Sequence, residues 1–205
     1  MPRKRKVGIR KVNERVLIFC EGEKTEPNYF NSLIRECDFP GRLIEVRVIK
    51  INKNTLRELV IEAKKYRPSS TDHFWVVADK DGYTKHPESF DKARANNINI
   101  AFSSISFEVW ILLHYEFTTR EFAKSDDVIR YIKHKHDEYE KNDEKIYKKV
   151  SQYTDNAIQN AIRLRKYIKS ANPDIAVYLM NPYTNVDELV LKIKACHKKY
   201  CKIDT

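Results

Sequence analysis

The chain has 205 residues, 41% hydrophobic and 11% aromatic, enough for one packed domain with an appendage and too apolar for a disordered segment. Its 39 Lys and Arg outnumber 29 Asp and Glu, and the net charge of +10 favours polyanionic partners, nucleic acid above all. No apolar run has the length of a membrane span, and the basic start MPRKRKVGIRKVNERV lacks the apolar stretch of a signal peptide, so a soluble, cytoplasmic protein is expected. The four cysteines form no Cys-x-x-Cys pair, and Cys196, His197 and Cys201 lack a fourth ligand at zinc-finger spacing.

Residues 1–14 read as a basic arm, with Arg3, Lys4, Arg5, Lys6, Arg10 and Lys11 against the single acid Glu14. The apolar run from Arg15 to Cys20 predicts a buried strand stopped at Gly22. Thr25 is read as an N-cap, and Tyr29, Phe30, Leu33 and Ile34 recur at helical spacing to Cys37. Leu43–Ile51 alternates as a strand; Thr55 caps a helix carrying Leu56, Leu59, Val60 and Ala63 to about Arg67. His73–Ala78 is apolar throughout, as a strand covered on both faces would be. A short helix from Pro87, a strand at Ile98–Ser104 and a helix from Phe107 to Tyr115 follow, with Ser106 as its N-cap. Alternating strands and helices predict an α/β core with a mostly parallel sheet over residues 15–116. Residues 117–205 read as a mainly helical extension packed on that core. It carries a stripe of Val128, Ile129 and Ile132, a helix over 154–170, a short strand at Ile175–Met180 and a helix over Val186–Cys201.

Two acidic clusters fall at predicted strand ends, where open α/β sheets bind ligands: Glu21-Gly22-Glu23 with Glu26, and Asp79-Lys80-Asp81-Gly82. A Mg²⁺-type cation takes hard oxygen ligands, and two such ions about 3.5–4 Å apart stabilise both the entering and the leaving oxygen in phosphodiester cleavage. Asp79 and Asp81 are two residues apart on an extended segment and so project to one side. Glu21 can join them as a ligand or take a proton from the attacking water. Glu108, in the first turn of its helix, suits either the helix dipole or a metal. Phe107, Trp110, Ile111 and His114 share a helical face that reads first as core, with His114 a buried hydrogen-bonding histidine before a catalytic one.

The runs VLIFCEGEKTEPNYF (16–30), VVADKDG (76–82), SFEVWILLHY (106–115) and NPYTNVDELV (181–190) resemble the RloB family, Toprim-like proteins of phage-defence and restriction-linked loci. The resemblance implies a Toprim core that cleaves nucleic acid with Mg²⁺ or Mn²⁺. It maps the Toprim glutamate onto Glu21, the paired aspartates onto Asp79 and Asp81, and the Ser-x-Glu of OLD-type nucleases onto Ser106 and Glu108. Those nucleases place a second glutamate four residues after the first; here Glu26 follows at five and Glu23 at two, so either is open as a further ligand. The leading expectation is an anti-phage ribonuclease cutting structured RNA, with tRNA as the candidate substrate and defence-system proteins as candidate partners. A DNA endonuclease or nickase, and a non-catalytic nucleic-acid-binding regulator, stand as alternatives. Lys24, Lys80, Lys148, Lys149, Arg163, Arg165 and Lys166 are the candidate phosphate-holding residues, Lys80 foremost because it lies between the two aspartates.

Overall fold

Strand β1 (Glu14–Cys20) is apolar because it is buried on both faces: Val16, Ile18 and Cys20 pack into one core, Leu17 and Phe19 into the other. The computed structural model describes residues 14–22, 24–53, 55–66, 69–80 and 85–201. Beside β1 lie β2 (Ile44–Lys50), β3 (His73–Asp79), β4 (Ile98–Ser104) and the short β5 (Tyr183–Thr184), in the order β2-β1-β3-β4-β5. The first four run parallel and β5 pairs antiparallel with β4. This is the expected α/β layer.

Helices cover both faces. On one, α2 (Leu56–Lys65) and α3 (His86–Arg94) cover Leu17, Phe19, Phe74 and Val76, and the Thr55 hydroxyl caps α2 by accepting from the Glu58 N–H at 3.3 Å. On the other lie α1 (Thr25–Cys37) and α4 (Glu108–Tyr115). Every residue of α4 from Glu108 to His114 is buried, because α5 (Ser125–Lys135), α6 (Ile146–Val150) and α7 (Thr154–Ala171) pack against it, while α8 (Val186–Tyr200) packs on β4, α1 and α7. A helix apolar all round needs such a sheath. No helix of the described residues is long and apolar enough to cross a membrane.

Four local expectations are corrected. Glu14 belongs to β1 and not to the arm: its buried carboxylate accepts from Lys192, Lys199 and Tyr200 of α8. Thr25 is the first residue of α1, and its hydroxyl donates to Asn142 Oδ1 instead of capping. Ser106 starts the first turn of α4 through its carbonyl, which accepts from the Val109 N–H, while its hydroxyl makes no cap bond. The run at 175–180 forms a 3-10 turn at Val177–Leu179, because it packs Tyr178 and Met180 against Phe90 and Phe102 rather than pairing its backbone. Pairing falls instead to Tyr183–Thr184. Asn185 then extends the sheet with its side chain, accepting from Phe102 N–H at 2.7 Å and donating to Ile100 C=O at 3.0 Å.

Candidate active site

The order β2-β1-β3-β4 places neighbouring crossovers on opposite sides of β1, so the carboxyl ends of β1 and β3 flank the point where the topology reverses. Glu21 leaves β1 there, with its N–H donating to Val77 C=O at 3.1 Å, and Asp79 ends β3 beside it. The Asp79 N–H donates to Glu21 Oε2 at 3.3 Å, which ties the two turns together. Strand parity sets the direction of Asp79: with Trp75 and Val77 it faces α1 and α4, opposite to Phe74, Val76 and Ala78.

On that side lies a cavity of about 190 Å³, walled by Gly22, Glu26, Asp79, Ser106, Glu108 and Lys141 among others. Three turns deliver its acids. Glu26 comes from the first turn of α1, Asp79 from the end of β3 and Glu108 from the first turn of α4. Gly22 makes room for them, since a Cβ there would collide with the Glu26 carboxylate. Glu108 accepts a hydrogen bond from the buried Tyr139 hydroxyl at 3.4 Å.

Crowding of like charges in a buried site shapes the electrostatics. Burial first, then the charge of Glu108, pushes the Glu26 carboxyl up to about 7, against the pull of its own backbone N–H and of Lys141. Burial, followed by the charges of Glu26, Glu108 and Glu21, pushes Asp79 well above the carboxylate range, and the Phe107 N–H offsets only part of this. Among the described residues, Asp79 Oδ1 and Ser106 Oγ are buried with no hydrogen-bond partner, and both residues line the cavity. An orphaned carboxylate oxygen amid further carboxylates fits a hard divalent cation in its donor chemistry. Among the described residues, no three His, Cys, Asp or Glu side chains are already gathered tightly enough to hold a metal ion.

The structure therefore brings Glu26, Asp79 and Glu108 to one cavity and Glu21 to its edge. Asp81 and Glu23 lie outside the described residues. Of the candidate cations, Lys24 lines the cavity; Lys80 is half-buried, its N–H donating to Ser103 C=O at the end of the sheet. Lys148 and Lys166 are exposed on α6 and α7, and Lys149 pairs with Asp143. The Arg163 guanidinium stacks on Phe117 at 3.8 Å from the ring centre. Arg165 turns inward, where its guanidinium forks onto Asp187 and donates to Thr184 C=O. His114 is the buried histidine expected: Nδ1–H donates to Trp110 C=O, which leaves Nε2 to accept from the Tyr29 hydroxyl at 3.2 Å. Burial holds its pKa down to about 4 and the ring neutral, despite the Trp110 and Ile111 carbonyls. Cys196 reaches Glu14, His197 packs edge-on to Phe39 and Cys201 bonds the Cys37 carbonyl, so these three serve different neighbours.

Ser125, Lys141 and Asn142 line the cavity and Tyr139 bonds its Glu108; none of the four was singled out by sequence reasoning. They belong to a stretch dense in both charges, where the one visible clue is a Tyr, buried here, amid Lys, Glu and Asp. Asn142 carries the segment across: its carbonyl accepts from Asn28 and its Oδ1 from Thr25. The walls of the cavity thus come from both sides of residue 116. A family model described as RloB-like protein matches residues 16–193. No curated protein and no solved structure matches the chain.

Proposed function

The chain belongs to the RloB-like protein family, and on that premise we propose that it is a Toprim-type, metal-dependent endonuclease acting on RNA in anti-phage defence. One observation carries the reading: Glu26, Asp79 and Glu108 meet in a small cavity at the switch point, and a buried Asp79 oxygen there has no partner among the described residues. Glu26, Asp79 and Glu108, with Glu21 at the edge and Asp81 two residues after Asp79 in the sequence, would hold Mg²⁺ or Mn²⁺. Such an ion, when bound, supplies Lewis-acid stabilisation of the charge that builds on a phosphate under attack. Glu21 is the residue for proton removal from the attacking water, its carboxylate oriented by the Asp79 N–H. Lys24 and Lys141, at the cavity wall, balance the phosphate oxygens, and Tyr139 keeps Glu108 aimed inward.

The test compares the parent protein with Asp79→Asn and Glu26→Gln on tRNA, single-stranded RNA and duplex DNA, with Mn²⁺ or with chelator. Loss of an outer partner of a metal ligand typically costs ten- to a hundredfold, so loss of a direct ligand should slow RNA cleavage by at least about a hundredfold. Mn²⁺ should raise the melting temperature of the parent and leave that of Asp79→Asn unchanged. Equal cleavage by parent and Asp79→Asn ends the catalytic assignment. Cleavage of DNA alone ends the choice of RNA.

A further inference from the structure

A second cavity, of about 320 Å³, opens on the surface beside the first and is walled by Arg120, Phe122, Asp127, Arg130, Tyr131 and His134, with Glu121 at its side. Its floor is aromatic. Phe122 and Tyr131 meet edge to face at 5.7 Å, and the exposed Arg120 guanidinium lies 4.9 Å from the Tyr131 ring centre and 5.6 Å from that of Phe122. This platform is held from behind. The Tyr131 hydroxyl donates to Glu116 at 2.7 Å, and the Asn181 side chain grips the Phe122 backbone, donating to its C=O at 2.8 Å and accepting from its N–H at 3.5 Å. The Asn181 of the NPYTN run thus finds a role: it fixes the aromatic floor of a cleft.

Both the chemistry and the place of the cleft point to one kind of ligand. An exposed guanidinium over a tyrosine ring offers a flat cation on which a base can lie, while a bare phosphate has no use for the aromatic floor. Asp127 is paired with Arg130 at 2.6 Å, and Glu121, with the Asp127 oxygen that Arg130 leaves, can accept from the exocyclic amino group of a base. Ala123 lines this cleft and Ser125 lines the acidic cavity, so their Cα atoms lie within about 7 Å along the chain. At about 3.4 Å of rise per stacked nucleotide, a strand in the acidic cavity reaches the cleft within a few nucleotides.

We propose that the Arg120–Tyr131–Phe122 cleft is a nucleobase subsite, which takes an unpaired base a few nucleotides from the phosphate placed in the acidic cavity. The proposal rests on the nuclease reading for its register along the strand, and its test uses no cleavage. Fluorescence anisotropy with a fluorescein-labelled single-stranded RNA decamer, in chelator, is measured for the parent, Arg120→Ala and Arg120→Lys. The same measurements are made on a decamer of abasic sites. Stacking is worth enough per base that both variants should bind the intact RNA about tenfold more weakly and the abasic RNA within about twofold of the parent. Arg120→Lys keeps the charge and loses the plane, so unchanged binding by that variant overturns the subsite, as does an equal loss on abasic RNA. If the parent binds neither RNA, the subsite falls, while the nuclease reading is judged by the cleavage assay with Mn²⁺. If Arg120-dependent, base-dependent binding persists in a protein that cuts nothing, the cleft stands and the nuclease reading falls.

Discussion

Gly22 illustrates how the smallest residue can govern a charged site. Its place beside Glu26 leaves no room for a Cβ, yet the group in the way is the far end of a side chain and not backbone. Gly22→Ala should therefore fold, with stability within about 1 kcal/mol of the parent, because the Glu26 carboxylate can swing aside. That swing carries the carboxylate away from Asp79 and Glu108, so Mn²⁺ affinity and RNA cleavage should each fall about tenfold or more. Thermal melting beside an Mn²⁺ titration separates the two effects, and a variant that binds Mn²⁺ like the parent would refute the packing argument. Glu21, Glu26, Asp79 and Glu108 were all legible as acids at strand ends and helix starts, because those places follow from local apolar runs. The inward place of Glu26 was not legible, since it turns on which way the first turn of α1 aims its side chains. Glu26 lines the cavity, and Glu23 lies outside the described residues.

At the scale of elements, α7 and α8 are joined by the fork of Arg165 onto Asp187, a carboxylate with a side chain only 1% exposed. In sequence, Arg165 sits with Arg163 and Lys166 on a basic helix and reads as part of a phosphate-gripping face. Nothing local marks it as the inward one, because its partner lies 22 residues on. Removing one member of a buried pair leaves the other uncompensated, so Arg165→Gln should lose about 3 kcal/mol in urea unfolding. Lys166→Gln, exposed on the same helix, should be neutral to within about 0.5 kcal/mol. Similar stabilities for the two variants would restore Arg165 to the surface role. The helices themselves were readable from their apolar stripes, as Val128, Ile129 and Ile132 of α5 show. What periodicity did not carry was the segment between α5 and α6, because its buried Tyr139 and its Asn142 contacts depend on α1 and α4 being in place.

For the whole molecule, the sheet followed from β1 and β3, whose uninterrupted apolar residues require cover on both faces, and the rest of the parallel layer follows from that. The closure of the far end did not, since it depends on Glu14, an acid that in sequence only interrupts a basic tail. Burial pushes the Glu14 carboxyl up, but hydrogen bonds from Lys199, Tyr200 and Lys192 outweigh it and hold the pKa at about 2 against an ordinary 4.5. The carboxylate is thus bound more strongly in the folded chain than in the unfolded one. Its stabilisation is complete above the unfolded value of about 4.5 and fades as the pH drops through that value toward the folded one near 2. A shift of this size corresponds to on the order of 3 kcal/mol, through which Glu14 ties the first strand to the last helix. Glu14→Gln keeps the shape and cannot ionise. Its deficit relative to the parent in urea unfolding should be largest near pH 7 and should shrink steadily below pH about 5. Other carboxylates that titrate in the same range, Asp72 with Arg15 among them, are common to both proteins and cancel in the difference. A deficit that stayed constant down to pH about 2.5 would mean that shape, and not the charge of Glu14, fastens α8 to the sheet.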